Sequence, residues 1–238
     1  MKRLSALSAI SMIFFLLSCG NEPAKDETKA TDTAAVVTPA PAEVKPAFVP
    51  FKVVVVQHKV KNFEKSEAGY FNRDSLRNTF GITHYVIGRD LKDSNTVFVV
   101  DKITDMEKAK AFYDLPATKL LMQKAGVSSA PGYTYAEFIR ANDNPVQFLD
   151  GVAVSHRVKD FGVWFKAYEA DSAGRSANGL IERGIARNLQ DSNTVSILFE
   201  VSDMAKAKAR MSSPDLKKIM TDAGVEGPPS VRWYRLIK

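Results

Sequence analysis

Two stretches, residues 52–60 and 150–158, are rich in valine and alternate or run apolar, as strands set in a core do. Each is followed by a residue suited to cap a helix, Asn62 or Asp160. Phe161, Trp164, Phe165 and Tyr168 then recur at i, i+3, i+4 and i+7, which makes one amphipathic helical face. The earlier stretch keeps only Phe63, Tyr70 and Phe71 on that stripe. A long strand is predicted next (about 81–91 and 179–189), then the turn Asp-Ser-Asn, then a strand through Val97–Val100 or Val195–Phe199. Asp105 and Asp203 cap a second helix, interrupted near Pro116 or Pro214. That helix ends at Gly126 or Gly224, where glycine supplies the left-handed cap. A last strand closes each half at about 133–139 and 231–237.

The two halves are one module written twice. Val54-x-Val56-x-His58-x-Val60-Lys61-x-Phe63 returns 98 residues later as Val152-x-Val154-x-His156-x-Val158-Lys159-x-Phe161. The match runs ungapped from about Val54–Pro131 to Val152–Pro229, with about a third of positions identical. A repeat that long is a small domain, not a solenoid unit. Its order is βαββαβ, a ferredoxin-like α+β arrangement. The predicted organisation is residues 1–18, 19–49, 50–141 (first copy) and 148–238 (second copy).

Before the module the pattern changes. Lys2 and Arg3 precede an apolar run from about Leu4 to Leu17, too short to span a ~30 Å bilayer core. It ends in Leu16-Leu17-Ser18-Cys19, which resembles the lipobox cleaved by lipoprotein signal peptidase. Cys19 is the only cysteine, so no intramolecular disulfide competes for its thiol. Acyl chains at about 0.8 kcal/mol per buried methylene would hold the protein to a bilayer. Gly20 after the cysteine, in place of Asp, points to the outer membrane where such sorting applies. Residues 20–49 are Pro, Ala, Thr, Glu and Lys with no aromatic before Phe48, the composition of a tether. A flexible chain of that length reaches roughly 30 Å.

The formal charge of +6 is spread among acids, and Lys2 and Arg3 leave with the signal, so nucleic acid is not an expected partner. No nucleophile elbow, phosphate loop, dinucleotide-binding glycine set or zinc signature is present. No metal and no resident cofactor are expected. Chemistry, if any, would be cofactor-independent or supplied by a bound ligand such as haem.

The pattern His156-x-Val158-x-Asp160-Phe161-x-x-Trp164, then Arg187, Asp191-x-Asn193, Ser213-Pro214-x-Leu216-Lys217 and Ala223-Gly224-Val225 resembles the antibiotic-biosynthesis-monooxygenase-like domains of the dimeric α+β-barrel superfamily. The first copy departs from it, with Asn62, Ser66 and Thr118 for Asp, Trp and Leu. Together the copies cover about 185 residues. The resemblance implies two sheets packed as a barrel, helices outside and a pocket at each sheet. A chain with two copies would then build the barrel within itself, as a monomer.

His58 and His156 are candidate pocket imidazoles, or core histidines bonded to backbone. Trp164 either flanks a ligand or packs in the core. Arg89 and Arg187, at a strand end, either bind an anionic or enolate oxygen, or are solvated or paired with Asp93 and Asp191. Three readings stay open: a module binding a small apolar or aromatic molecule, a cofactor-independent monooxygenase, and a structural or interaction protein of the envelope. In the enzyme reading His156 deprotonates a phenolic substrate, Arg187 holds the oxyanion and Trp164 flanks the ring. It requires His156 and Arg187 to reach one cavity. The divergence of the first copy places any single active pocket in the second.

Overall fold

The computed structural model describes residues 48–237. The signal, the lipidation at Cys19 and nearly all of the tether lie outside the described residues. The first copy runs β1 (Phe51–Lys59), α1 (Phe63–Phe71), α2 (Asp74–Thr79), β2 (Ile82–Asp90), β3 (Thr96–Ile103), α3 (Met106–Asp114), α4 (Pro116–Lys124) and β4 (Gly132–Ala141). The second repeats it as β5 (Asp150–Val158), α5 (Phe161–Ala170), α6 (Ser172–Ala177), β6 (Leu180–Asn188), β7 (Thr194–Val201), α7 (Met204–Met211), α8 (Pro214–Asp222) and β8 (Val225–Leu236).

The residues read as caps act as caps. Asn62 Oδ1 accepts from Lys65 N at 2.7 Å, Asp160 Oδ1 from Val163 N at 2.8 Å and Asp203 Oδ1 from Lys206 N at 3.0 Å. Each such cap is worth about 1 kcal/mol. Pro116 and Pro214 break the second helix as expected. A proline forces its predecessor out of helical geometry, and Leu115 and Ser213 sit at ψ 129° and 142°. Gly126 and Gly224 take φ 94° and 81°, the left-handed cap. The short helices α2 and α6 were not legible in the pattern. Each is six residues without an apolar stripe.

Within each copy the strands lie in the order β4-β1-β3-β2 or β8-β5-β7-β6. Neither four-stranded sheet can close alone, and each leaves two open edges. The copies cover one another's: β4 pairs with β6 from Ala136 to Ala141, and β8 with β2 from Gly88 to Asp90. The result is a closed eight-stranded barrel within one chain, which removes every open edge.

Strand alternation sorts the side chains. Val53, Phe98, Val100, Phe138, Ala186 and Tyr234 fill the barrel interior, drawn from both copies. Gly88, Gly151 and Gly184 leave room for rings: a side chain there would collide with Phe98, Tyr234 and Phe138. The opposite face carries Val54, Val56 and His58 or Val152, Val154 and His156, under the helices.

Two polar contacts hold the copies in register. Buried Glu200 accepts from Gln147 N at 2.7 Å and Phe148 N at 2.5 Å, which pins the connection between copies. Arg140 on β4 grips Glu182 on β6 through Nε and Nη2, both at 2.6 Å. Such a bidentate pair fixes geometry as well as charge. Among the described residues no helix is long and apolar enough to cross a membrane.

Candidate functional site

Each copy encloses a cavity between the outer face of its sheet and its own helices. The second copy's is about 70 Å³, the first copy's about 50 Å³, and they occupy equivalent positions. Val154, His156, Tyr168, Arg175 and Met220 in one stand where Val56, His58, Tyr70, Arg77 and Met122 stand in the other.

His156 is buried, and neither ring nitrogen has a hydrogen-bond partner among the described residues. Burial alone holds its pKa down at about 4, so the ring is neutral at physiological pH. Trp164, one turn into α5 and buried, meets the imidazole edge-on at 5.6 Å and stacks on Tyr168 at 5.2 Å. Phe199, Leu216, Ile219 and Met220 complete an apolar lining. Arg175 lies flat on the Tyr168 ring at 3.6 Å and donates to the Tyr168 carbonyl. Arg210 donates from Nη2 to Asp171 at 2.6 Å, and its buried Nε has no partner among the described residues. The cavity therefore offers one neutral imidazole and one spare cationic N–H in an apolar wall.

The helix α8 forms much of that wall and is lightly held. None of its residues is fully buried, although Leu216, Ile219 and Met220 turn toward the cavity.

The first copy builds its cavity differently. His58 is likewise buried with its pKa lowered to about 4 by desolvation, and its Nδ1 has no partner among the described residues. Trp164's counterpart is Ser66, and Phe199's is Asp101, which is fully buried. The Asp101 carboxylate accepts from Tyr70 Oη at 2.5 Å and from Tyr113 Oη at 3.1 Å. Burial raises its pKa, against the lowering effect of those hydroxyls. His84 Nδ1 lies 2.9 Å from Tyr70 Oη. The Tyr70 proton points at Asp101, so His84 donates to the phenol oxygen.

The structure brings His156 and Trp164 into one cavity and leaves Arg187 out of it. The expectation that His156 and Arg187 share a cavity is corrected. Arg187 and His156 flank Val195 on neighbouring strands. The guanidinium folds over the Phe161 ring at 4.2 Å and donates from Nε to Ser192 O at 2.7 Å. Arg89 repeats this on Phe63, at 4.4 Å, and on Ser94 O, at 2.7 Å. Both arginines clamp the Asp-Ser-Asn turn. Their alternative, pairing with Asp93 and Asp191, is corrected too: Asp93 pairs with Lys59 and Asp191 with Arg157.

Sequence reasoning missed Arg77, Arg175, Arg210, Asp101 and the tyrosine pair. Two signals were present. Tyr70/Tyr168 and Arg77/Arg175 are identical across the repeat, and Asp101 interrupts an apolar strand where the other copy has phenylalanine. Among the described residues no group of three His, Cys, Asp or Glu could hold a metal ion.

No family model matches the chain, and no curated protein matches it. Solved structures do resemble it. An anthrone oxidase-like protein is similar with a TM-score of 0.52 at 13% identity, covering 79% of this chain and 92% of that one. A heme-binding protein from Thermus thermophilus aligns with a TM-score of 0.48 at 8% identity, over 80% of this chain and 92% of that one. A monooxygenase-like protein from Listeria innocua gives 0.45 at 13% identity, over 79% and 95%. The fold is the ferredoxin-like dimeric α+β barrel, built here by a tandem repeat in one chain.

Proposed function

We propose that the second copy binds a small, flat, largely apolar molecule carrying a hydrogen-bonding oxygen, a phenol in the simplest case. The observation that carries this reading is His156, which lines a largely apolar cavity and whose two buried ring nitrogens have no partner among the described residues. A buried polar group left unmatched costs about 1–3 kcal/mol, which a ligand oxygen would recover. The cavity as it stands is about 70 Å³. A cavity of roughly 150 Å³ encloses benzene. Entry therefore asks α8 to swing outward, the movement its light anchoring favours.

The test is titration with p-cresol, following the Trp164 indole N–H by NMR. Saturable shifts are expected, lost in His156→Leu and kept in His58→Leu. No saturation, or equal loss in both variants, overturns the reading. The monooxygenase alternative loses its oxyanion holder, because Arg187 is committed to Phe161 and Ser192.

The reading extends to location: the barrel is held at a bilayer by acylated Cys19, with the outer membrane as its site. The lipobox-like Leu16-Leu17-Ser18-Cys19 and the tether composition support this. Cys19→Ser is expected to release the protein to the soluble fraction, and continued membrane association overturns the anchor.

A further inference from the structure

We infer that the first copy carries a second binding site, for a short-chain monocarboxylate such as propionate. The cavity under β1 and β3 gathers three buried side chains whose polar atoms have no partner among the described residues: His58 Nδ1, Arg77 Nε and Thr118 Oγ1. His58, Arg77 and Thr118 are 7%, 3% and 3% exposed, so solvent does not satisfy them. The Arg77 nitrogen can only donate, and the hydroxyl and the imidazole can donate. The hydroxyl and the imidazole can adapt to a donor or an acceptor but Arg77 Nε cannot, so a ligand group that accepts satisfies all three and an amine does not.

Charge narrows the class further. Arg77 is matched by Asp74, and Asp101 is held by the hydroxyls of Tyr70 and Tyr113. Arg73 also lines the cavity and makes no ion pair among the described residues, while burial and the neighbouring Arg77 depress its pKa. A guanidinium in that position gains from a bound anion. Val56, Val99, Phe112 and Met122 line the rest of the space, an apolar end that an inorganic anion would leave unfilled. The volume of about 50 Å³ limits the ligand to a few heavy atoms and, as in the other copy, asks the helical wall to give as it enters. One charged head and one short alkyl tail satisfy both ends.

This inference stands apart from the phenol reading, since Thr118 and Arg73 correspond to Leu216 and Asp171 in the other cavity. The experiment titrates the full chain with propionate, and separately with propionamide and inorganic phosphate, following the His58 ring by NMR. Saturable His58 shifts with propionate are expected, with propionamide and phosphate at least tenfold weaker. Thr118→Val and Arg73→Gln should each weaken propionate at least fivefold while leaving the p-cresol response of Trp164 unchanged. Arg73 is half-exposed, so its variant keeps the test intact if Thr118→Val fails to fold. Absence of saturation, equal affinity for propionamide, preference for phosphate, or indifference to both variants overturns the site.

Discussion

In both copies the tyrosine hydroxyl meets the same place on the second strand, His84 at 2.9 Å from Tyr70 and Glu182 at 2.7 Å from Tyr168, but in the first copy it also donates to the buried carboxylate of Asp101. The two tyrosines hold equivalent places on equivalent helices, each covered by an arginine 3.6 Å from its ring centre. What adds the second partner is the company each tyrosine keeps. Asp101, Tyr113, Thr118 and His84 in one copy face Phe199, Met211, Leu216 and Glu182 in the other. Those exchanges make one cavity polar and the other apolar without moving the backbone elements that enclose them.

The divergence is confined for a physical reason. Each outer cavity is lined by residues of one copy, so a change there is tested against that copy's neighbours alone. The barrel interior draws on both copies, and its rings pass over glycines that admit no side chain. A substitution inside must satisfy two repeats at once. Duplication thus freed the outer faces of the sheets and bound the inner ones.

The steepest loss of stability comes from writing one copy's residue into the other. Phe199→Asp places a carboxylate where Met211 offers no hydroxyl and Tyr168 is already committed to Glu182. A buried unpaired charge costs about 3–5 kcal/mol, so the urea midpoint should fall steeply. An unchanged midpoint would mean that the two cavities tolerate the same chemistry.

Acid gives the next largest effect. An unfolded histidine titrates near 6.5, whereas His58 and His156 in the fold titrate near 4. Between those values the unfolded chain binds more protons, so stability falls as pH falls. Each histidine contributes about 3 kcal/mol that is present in full above pH 6.5 and lost by pH 4. Asp101 works in the opposite sense. Burial holds its carboxyl above 3.8, so its contribution is full below 3.8 and declines as pH rises. His156→Leu should therefore flatten the acid limb of the stability curve more cleanly than Asp101→Leu changes it. Denaturation midpoints across pH 4–7 decide this, and an unaltered slope in His156→Leu contradicts the buried neutral imidazole.

The smallest effect concerns the seams. Arg140 and Glu182 join β4 to β6, and both are partly exposed, so the pair contributes about 1 kcal/mol at most. Arg140→Met should speed amide exchange along β6 by several-fold and leave β2 unaffected. Equal acceleration at β2 would show that the barrel opens as a whole.

The succession of elements along the chain, the helix caps and the proline breaks were legible because each depends on neighbours within a few residues, and the doubled module because the chain matches itself 98 residues on. Valine runs make strands wherever they are placed, and Asn62, Asp160 and Asp203 cap helices through atoms three residues away. Cavity membership was not legible. His156 and Trp164 fell together because the strand and its following helix share a face, but Arg187 left them once its ring partner and turn carbonyl lay nearer. Asp101 lies just past the strand legible as Val97–Val100, and its role follows from Tyr70 and Tyr113, which close on it from two different helices. Local chemistry along the chain sets the elements, and the 98-residue repeat sets that there are two of each. Which polar atoms find partners and which are left facing a cavity depends on distances between segments far apart in the chain, and those come only from the packed fold.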